Sequence, residues 1–181
     1  MKTRQMKTRQ MGFTLVELLV AISIMAAIGA TASMALDQVN RGTEYSNNSI
    51  TVVQQVQNAG YWISRDVQKA HSIIAENLTA PEFLIINWTE WDEHDNPIYH
   101  TVKYLIEDLN DDIGKLTRNH WSSDGVNQKT LIAEYIYYQP GDTGNTSRVY
   151  YTNPEITLKL TAIFEKKQES REYRIMRRST L

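Results

Sequence analysis

The 181-residue sequence contains no cysteine, which excludes disulfide bonds, thiolate metal sites and a cysteine nucleophile. Proline is scarce: the chain has four, and none precedes Pro81, so no proline interrupts a helix in the first 80 residues. A basic surface is also missing. From residue 13 onward the chain carries 15 basic and 21 acidic residues, a net charge of −6, which argues against a nucleic-acid-binding face.

The chain does contain one long apolar stretch, from Phe13 to Leu36. Of its 24 residues, 19 are apolar or glycine. As a helix with a rise of about 1.5 Å per residue, it would be about 36 Å long, enough to cross a hydrocarbon core of about 30 Å. The polar exceptions are Thr14, Glu17, Ser23, Thr31 and Ser33. The sequence therefore predicts a membrane span with a single carboxylate near one end.

The tail before this stretch repeats Met-Lys-Thr-Arg-Gln twice and then reaches Met11 and Gly12. Its four cations are Lys2, Arg4, Lys7 and Arg9. By the positive-inside rule they predict that this end stays in the cytoplasm and that residues 37–181 lie on the outer side. Met6 and Met11 both stay open as alternative starts.

Composition alone favours a signal anchor in which Glu17 is tolerated near the membrane interface. A cleaved secretory signal fits less well. The small residues Ala30-Thr31-Ala32 match its cleavage pattern but lie inside an apolar run that is too long for a typical signal core.

The order of the residues indicates something more specific. Gly12 is followed by Phe13, and Glu17 lies four residues after Phe13. The segment Gly12–Ala21 (Gly-Phe-Thr-Leu-Val-Glu-Leu-Leu-Val-Ala) resembles the type III signal of type IV pilins and type II secretion pseudopilins. The resemblance implies that a prepilin peptidase cuts between Gly12 and Phe13, that the new amino group of Phe13 is methylated, and that the apolar run is kept as the assembly helix.

Glu17 is the residue whose role the resemblance defines most closely. An acidic side chain inside a bilayer costs about 2.5–3.5 kcal/mol on insertion scales, so it tends to mark a partner. In the family that partner is the free amino terminus of a neighbouring subunit. We therefore expect an assembly charge pair between Glu17 and the amine at Phe13 of another copy or a relative, which would set the axial register of the subunits.

Residues 37–77 are predicted to continue the helix as an amphipathic segment. Apolar residues recur there at spacings of three and four, which is the period of one helix face. They are Val53, Val56, Gly60, Ile63, Val67, Ala70 and Ile74. We expect this stripe to pack on the protein's own sheet, with a coiled coil as the alternative, and the helix to end near Asn77 before Pro81.

Within this helix, Tyr61–Ala70 resembles the Arg-Asp segment of J-type minor pseudopilins and PilW-like minor pilins. The resemblance implies a minor subunit rather than a major one. Arg65 and Asp66 are adjacent and do not share a helix face, so we expect them to contact loops or neighbouring subunits instead of each other.

Residues 78–181 read as a β-rich globular domain because short β-branched and aromatic runs alternate with turn residues. The predicted strands are 83–89, 98–106, 115–121, 130–139, 147–152, 155–164 and 171–178. The whole chain is therefore predicted to be α+β, with a basic leader (1–12), a transmembrane and assembly helix (13–36), an amphipathic helix (37–77) and an antiparallel sheet (78–181).

Eight acidic residues between positions 90 and 112 raise the question of calcium binding. They are Glu90, Asp92, Glu93, Asp95, Glu107, Asp108, Asp111 and Asp112. Two acidic loops would supply several of the six to eight oxygens that calcium takes, but no EF-hand spacing is present. Solvated turns are the preferred interpretation, so we expect no cofactor and keep calcium as the alternative.

Two further groups of residues were considered as sites. The histidines His71, His94, His100 and His120 are scattered in the sequence and show no catalytic or zinc-binding spacing. The arginines Arg171, Arg174, Arg177 and Arg178 form a small basic patch at the end of the chain. Charges that protect an edge strand explain it well, and nucleic-acid binding is the alternative.

The sequence therefore predicts a minor pilin or pseudopilin, a non-enzymatic subunit of a type IV pilus, a competence pseudopilus or a type II secretion pseudopilus. Its implied partners are the prepilin peptidase, other pilin or pseudopilin subunits and the inner-membrane assembly platform. The precursor would cross the inner membrane once, and the mature subunit would enter an extracytoplasmic filament. The alternatives are a surface-binding module on such a filament, or a simple membrane-anchored domain.

Overall fold

The computed structural model describes residues 14–76, 78–140, 142 and 144–177. A single helix, α1 (Leu15–Lys69), contains 55 residues. By its contacts the chain divides into two units that meet between Tyr45 and Ser46. The helix continues through both, as the absence of proline predicts. Gly12 and Phe13 lie outside the described residues.

The strands that follow the helix in the described part of the chain are β1 (Ser72–Ile74), β2 (Glu82–Trp91), β3 (Pro97–Asn110), β4 (Ile113–Ser122), β5 (Asn127–Tyr137), β6 (Arg148–Thr152), β7 (Glu155–Phe164) and β8 (Lys167–Met176). They form one sheet with the order β1-β2-β3-β4-β5-β7-β6, and β8 pairs with β7. All pairings are antiparallel. The α+β class predicted from the sequence is confirmed.

The second part of α1 packs on this sheet with most of the face that the apolar period predicted, except that Val52 is buried in place of Val53, which is half-buried. Its buried residues are Val52, Val56, Ala59, Gly60, Ile63, Asp66 and Val67. They share one core with sheet residues such as Ile86, Val102 and Leu158. Burying each of the larger apolar side chains contributes about 1.5–3 kcal/mol, so the protein's own sheet accounts for this stripe.

The end of the helix differs from the prediction. The helix ends at Lys69, eight residues before Asn77, and the chain forms β1 instead. The backbone N–H of His71 donates to the Asn87 carbonyl at 2.8 Å, and Ile73 pairs with Ile86. Two consecutive isoleucines favour a strand when a partner edge is available. Ile73 is consequently the buried residue, and the assignment of Ile74 to the helical stripe was wrong.

The other strand predictions agree with the structure to within four residues at each end. The predicted strand at 155–164 has the observed bounds of β7. The last strand begins at Lys167 rather than at Arg171, because only Glu165 and Lys166 connect it to β7. Glu165 adopts a positive φ of 53°, a backbone conformation that suits a tight connection.

Gly60 allows β8 to approach the helix closely. A Cβ atom on Gly60 would clash with the ring of Tyr173, whose hydroxyl donates to the Val56 carbonyl at 3.0 Å. Contacts below 3 Å are not tolerated, so any side chain at position 60 has to displace the Tyr173 ring. The helix propensity of glycine is poor, which means that the packing is the reason for its presence here.

We therefore expect Gly60→Ala to destabilise the protein by about 1–2 kcal/mol, because overpacking costs more than the improved helix propensity returns. The free energy of unfolding of the full chain in detergent measures this. Gly42→Ala is the matched control, since nothing lies within 4 Å of the position of its Cβ, and it should be neutral or stabilising. If both variants are equally stable, the Tyr173 contact does not explain Gly60.

Candidate functional site

Glu17 lies in the first turn of α1 and forms a reciprocal pair with Thr14. The Glu17 backbone N–H donates to Oγ1 of Thr14 at 3.3 Å, and the Thr14 N–H donates to Oε2 of Glu17 at 3.5 Å. This is a capping box, in which two residues spaced by three satisfy backbone groups that have no partner inside the helix. The pattern Thr-x-x-Glu is present in the sequence and is the signal from which this helix cap can be predicted.

The three remaining polar residues of the apolar stretch also bond within the helix. Ser23 donates to the Leu19 carbonyl at 2.8 Å, and Ser33 donates to the Gly29 carbonyl at 2.9 Å. Thr31 reaches the carbonyl of Ile28 at 2.9 Å. Hydroxyl groups that bond to preceding carbonyls need no water, so all five polar exceptions in the stretch have a partner inside their own helix.

Apolar side chains cover this part of the helix and remain exposed. Leu15 and Met25 are 75% and 73% exposed, and no residue of the most apolar stretch is buried. By length and composition α1 is able to cross a membrane. This much exposed apolar surface requires an apolar environment outside the chain, either lipid or other helices.

A buried ion pair joins α1 to the sheet in the second unit. Arg118 of β4 donates from Nε to Oδ2 of Asp66 at 2.7 Å and from Nη2 to Oδ1 at 3.2 Å. The hydroxyl of Tyr104 on β3 donates to the same Oδ2 at 2.6 Å. The two charged side chains are only 7% and 2% exposed. Bidentate geometry with a third donor is the arrangement that makes a buried carboxylate tolerable.

Neighbouring groups keep Arg118 charged and the Tyr104 hydroxyl protonated, which maintains the ion pair with Asp66. Burial of the Tyr104 phenol, together with the Asp66 charge, raises the pKa of Tyr104. Burial opposes the charge of Arg118, but its hydrogen bonds to Asp66 and the Asp66 charge outweigh this and raise the pKa of Arg118. Arg118 and Arg65 lie 5.4 and 5.2 Å from the centroid of the Trp62 ring. Asp66 thus belongs to the protein's own core, which corrects the expectation that it contacts loops or other subunits.

Two of the four histidines that look scattered in the sequence meet on β3 and β4. Nδ1 of His100 lies 3.1 Å from Nε2 of His120, and the Trp88 ring stacks on both at 4.9 and 5.6 Å between centroids. We call Trp88, His100 and His120 the Trp–His stack. Beside it, Nε2 of His100 lies 3.5 Å from Oε2 of Glu90, and Nζ of Lys69 lies 3.1 Å from Oε1 of Glu90.

The eight acidic residues considered for calcium are distributed between turns and ion pairs. Asp92 accepts backbone N–H groups of the β2–β3 turn, Glu107 pairs with Lys129, and Asp108 pairs with Lys115. Four of the eight, Asp95, Asp108, Asp111 and Asp112, adopt positive φ values, as turn residues do. In the described part of the chain no three such side chains are grouped to hold a metal ion. Calcium binding stays an untested prediction.

The arginines near the end of the chain are engaged in local contacts. Arg171 pairs with Glu169, and Arg174 pairs with Glu172, both along β8. Nη1 of Arg177 donates to the His71 carbonyl at 2.7 Å. Arg178 lies outside the described residues. These pairings reduce the free positive charge of the patch, which weakens the case for a nucleic-acid partner.

The comparisons with known proteins extend these observations. Residues 7–33 match the prokaryotic N-terminal methylation motif. The chain is 35% identical over 92 residues to the type II secretion system protein J of Vibrio cholerae. The match includes 49% of this chain and 42% of that relative, so the chain spans less than half of the relative's length. No solved structure matches.

A long apolar helix that carries the N-terminal methylation motif and is followed by an antiparallel sheet is a pilin-like arrangement. The motif and the similarity to protein J support the type IV pilin and pseudopilin family for this chain and, within it, the J-type minor pseudopilins. These similarities support the family and the minor type that the sequence predicts. The cleavage and methylation at Gly12 and Phe13 and the role of Glu17 stay predictions.

The buried ion pair between Asp66 and Arg118 should make a large contribution to the stability of the protein. Asp66→Asn should lower the free energy of unfolding by about 3–5 kcal/mol, because it leaves Arg118 buried without a counter-charge. Denaturant unfolding of the full chain in detergent measures this loss. Arg65→Ala, which changes the exposed neighbour, should lower it by less than about 1 kcal/mol. A loss below about 1 kcal/mol in Asp66→Asn would contradict the assigned role.

The position of His120 in the Trp–His stack should make the stability of the protein depend on pH. Burial, followed by the charges of Arg118 and His100, lowers the pKa of His120 below its ordinary value of 6.5. Lys69 adds a smaller effect of the same sign, Asp66 opposes it, and Glu90 faces His100. The unfolded chain therefore binds a proton at His120 more readily than the folded chain. The free energy of unfolding should therefore be highest above pH 6.5 and should decrease as the pH is lowered below that value.

Unfolding midpoints of the full chain in detergent between pH 7.5 and 5.5 measure this dependence. The range lies above the ordinary pKa values of carboxyl groups, so histidines dominate it. His120→Gln should flatten the dependence, whereas His94→Gln in the exposed β2–β3 turn should not. An unchanged slope in His120→Gln would show that another group titrates.

Proposed function

We propose that this chain is a minor pseudopilin: a non-enzymatic subunit that is anchored in the inner membrane by α1 and then incorporated through the same helix into a filament. The observation that carries the proposal is that the methylation motif at 7–33 coincides with an exposed apolar helix whose five polar residues all bond internally. Apart from the Glu17 carboxylate, such a helix fits lipid and a dry bundle of helices equally well.

In this proposal the prepilin peptidase hydrolyses the peptide bond between Gly12 and Phe13 and then methylates the new amino group. Cleavage removes the four cations of the leader and creates a positive charge next to the capping box. The bond from Thr14 to Oε2 of Glu17 is long, at 3.5 Å, and Oε1 of Glu17 has no partner among the described residues. The carboxylate therefore keeps capacity for the amine of a neighbouring subunit.

We further propose that the filament belongs to a type II secretion system. The name of the Vibrio cholerae relative refers to type II secretion, which favours that system over a type IV pilus or a competence pseudopilus. The cations of the leader favour a cytoplasmic N-terminus and a sheet domain on the outer side of the inner membrane. Other pseudopilin subunits and the assembly platform are the partners that this role requires.

Glu17 allows the charge pair to be tested apart from the helix cap. Glu17→Gln keeps a side chain that serves a capping box but removes the charge. We expect the amount of subunit in sheared filaments to fall at least tenfold relative to the membrane fraction, because a pair at low dielectric is lost. Quantitative immunoblots of both fractions measure the ratio.

Thr14→Ala is the matched control, since it removes the cap at a cost of about 1 kcal/mol and keeps the charge, and it should change the ratio by no more than about twofold. Gly12→Ala should leave the precursor uncut, as shown by N-terminal mass spectrometry, and confined to the membrane. The proposal is wrong if uncut Gly12→Ala or the Glu17→Gln chain enters filaments as well as the wild type.

A further inference from the structure

Three large aromatic side chains are exposed at one end of the sheet. Trp91, Tyr99 and Trp121 are 67%, 56% and 50% exposed. Two of the four tryptophans of the chain thus face solvent here, although tryptophan usually buries most of its surface. We call these three residues the aromatic row. The filament role proposed above depends on α1 and does not use them.

The strand register places the aromatic row on one face of the sheet. Trp91 of β2 is opposite Pro97, so Tyr99 of β3 is its diagonal neighbour. His100 is opposite Ser122, so Tyr99 is opposite Ser123. Trp121 of β4 lies two residues before Ser123 and is therefore the diagonal neighbour of Tyr99. Diagonal neighbours are about 7–8 Å apart, so the three rings form a line across three strands. The Trp–His stack faces the helix, and the aromatic row therefore lies on the outer face.

The rings and polar ends of the aromatic row are available to a ligand. Within the residues that the structure describes, no ring contact engages any of the three rings. The two indole N–H groups and the Tyr99 hydroxyl likewise have no hydrogen-bond partner in that part of the chain. Each residue thus offers an apolar ring face and an unused donor.

A cavity of about 220 Å³ adjoins Tyr99 and adds polar groups to the row. Its lining includes His71, Asn87, Thr89 and Thr101. Thr101 donates to the Asn87 side-chain carbonyl at 2.9 Å, and the Asn87 amide donates to Ser72 at 3.3 Å. These bonds hold the amide and hydroxyl groups in place. Of the aromatic row, Tyr99 lines this cavity, so these fixed polar groups lie beside the middle ring of the row.

The turns around the row carry mostly negative charge, although Arg177 contacts His71 in the lining of the cavity. The β2–β3 turn contributes Asp92, Glu93 and Asp95, and the β4–β5 turn contributes Asp124. The lysines of the same outer face, Lys103 and Lys129, are paired with Glu82 and Glu107. Phosphate backbones and anionic lipid surfaces would meet uncompensated negative charge here.

We propose that the aromatic row and its cavity bind a neutral polysaccharide chain. The C–H faces of pyranose rings stack on Trp91, Tyr99 and Trp121, and the sugar hydroxyls bond to the free indole and phenol donors and to the cavity. A linear, repeating ligand fits three separated rings in a line. Tryptophan and tyrosine are also enriched at protein interfaces, so a filament subunit is the competing occupant. It is distinguished by filament entry, which Trp91→Ala and Trp121→Ala would then impair.

The test is a titration of the full chain in detergent with cellohexaose, chitohexaose and maltohexaose. We expect at least one of these hexasaccharides to bind with a Kd below about 1 mM. Trp121→Ala and Trp91→Ala should each weaken that binding about tenfold, because each removes one stacking surface. Both tryptophans are exposed, so their replacement should not destabilise the fold. An unchanged melting temperature of each variant checks this.

Tyr61→Ala is the matched control, because Tyr61 is 61% exposed on α1 and lies outside the row; it should bind as the wild type does. The proposal is overturned if none of the three hexasaccharides binds below about 1 mM, or if the tryptophan variants bind as well as the wild type. Tighter binding of oligothymidylate or of phosphatidylglycerol vesicles would also overturn it. Trp91→Ala and Trp121→Ala should enter filaments normally, which separates this test from that of the proposed function.

Discussion

Polar groups in an apolar environment need partners, and residues 14–36 meet this requirement within their own helix except at one atom. The capping box and the three hydroxyl bonds satisfy the polar side chains apart from Oε1 of Glu17, and the apolar side chains of this stretch are exposed. A helix that depended on water or on a neighbour for these bonds would be unstable in lipid. Because only the Glu17 carboxylate still needs a partner, this stretch is suited to a bilayer and gains a charge pair in the core of a helical filament.

The same helix serves a different purpose after Ser46, where its buried face is part of the core of the sheet domain. Local sequence patterns predicted this change well. A 3.6-residue period identified the buried face, and alternation with turn residues identified most strands, because both patterns follow from the geometry of a single element. The capping box at Thr14 was equally local and was overlooked.

The features that could not be predicted depend on contacts between distant residues. Nothing near Lys69 shows that the helix should end there, because β1 forms only when the edge of β2 is available. Asp66 and Arg118 are 52 residues apart, and His100 and His120 belong to different strands. Each looks like an ordinary surface residue in its own window, and only the register of the sheet brings each pair together.

The buried ion pair raises the question of why a charge is present in a helix face that apolar residues would pack more cheaply. An apolar stripe repeats at every second turn, so a helix shifted along the sheet would keep much of its apolar contact. Such a shift would leave Asp66 and Arg118 buried without each other, which costs several kcal/mol. It would also move Gly60 away from Tyr173 and place a side chain against that ring. We infer that these two contacts fix the helix in one register on the sheet, a precision that the apolar stripe alone does not supply.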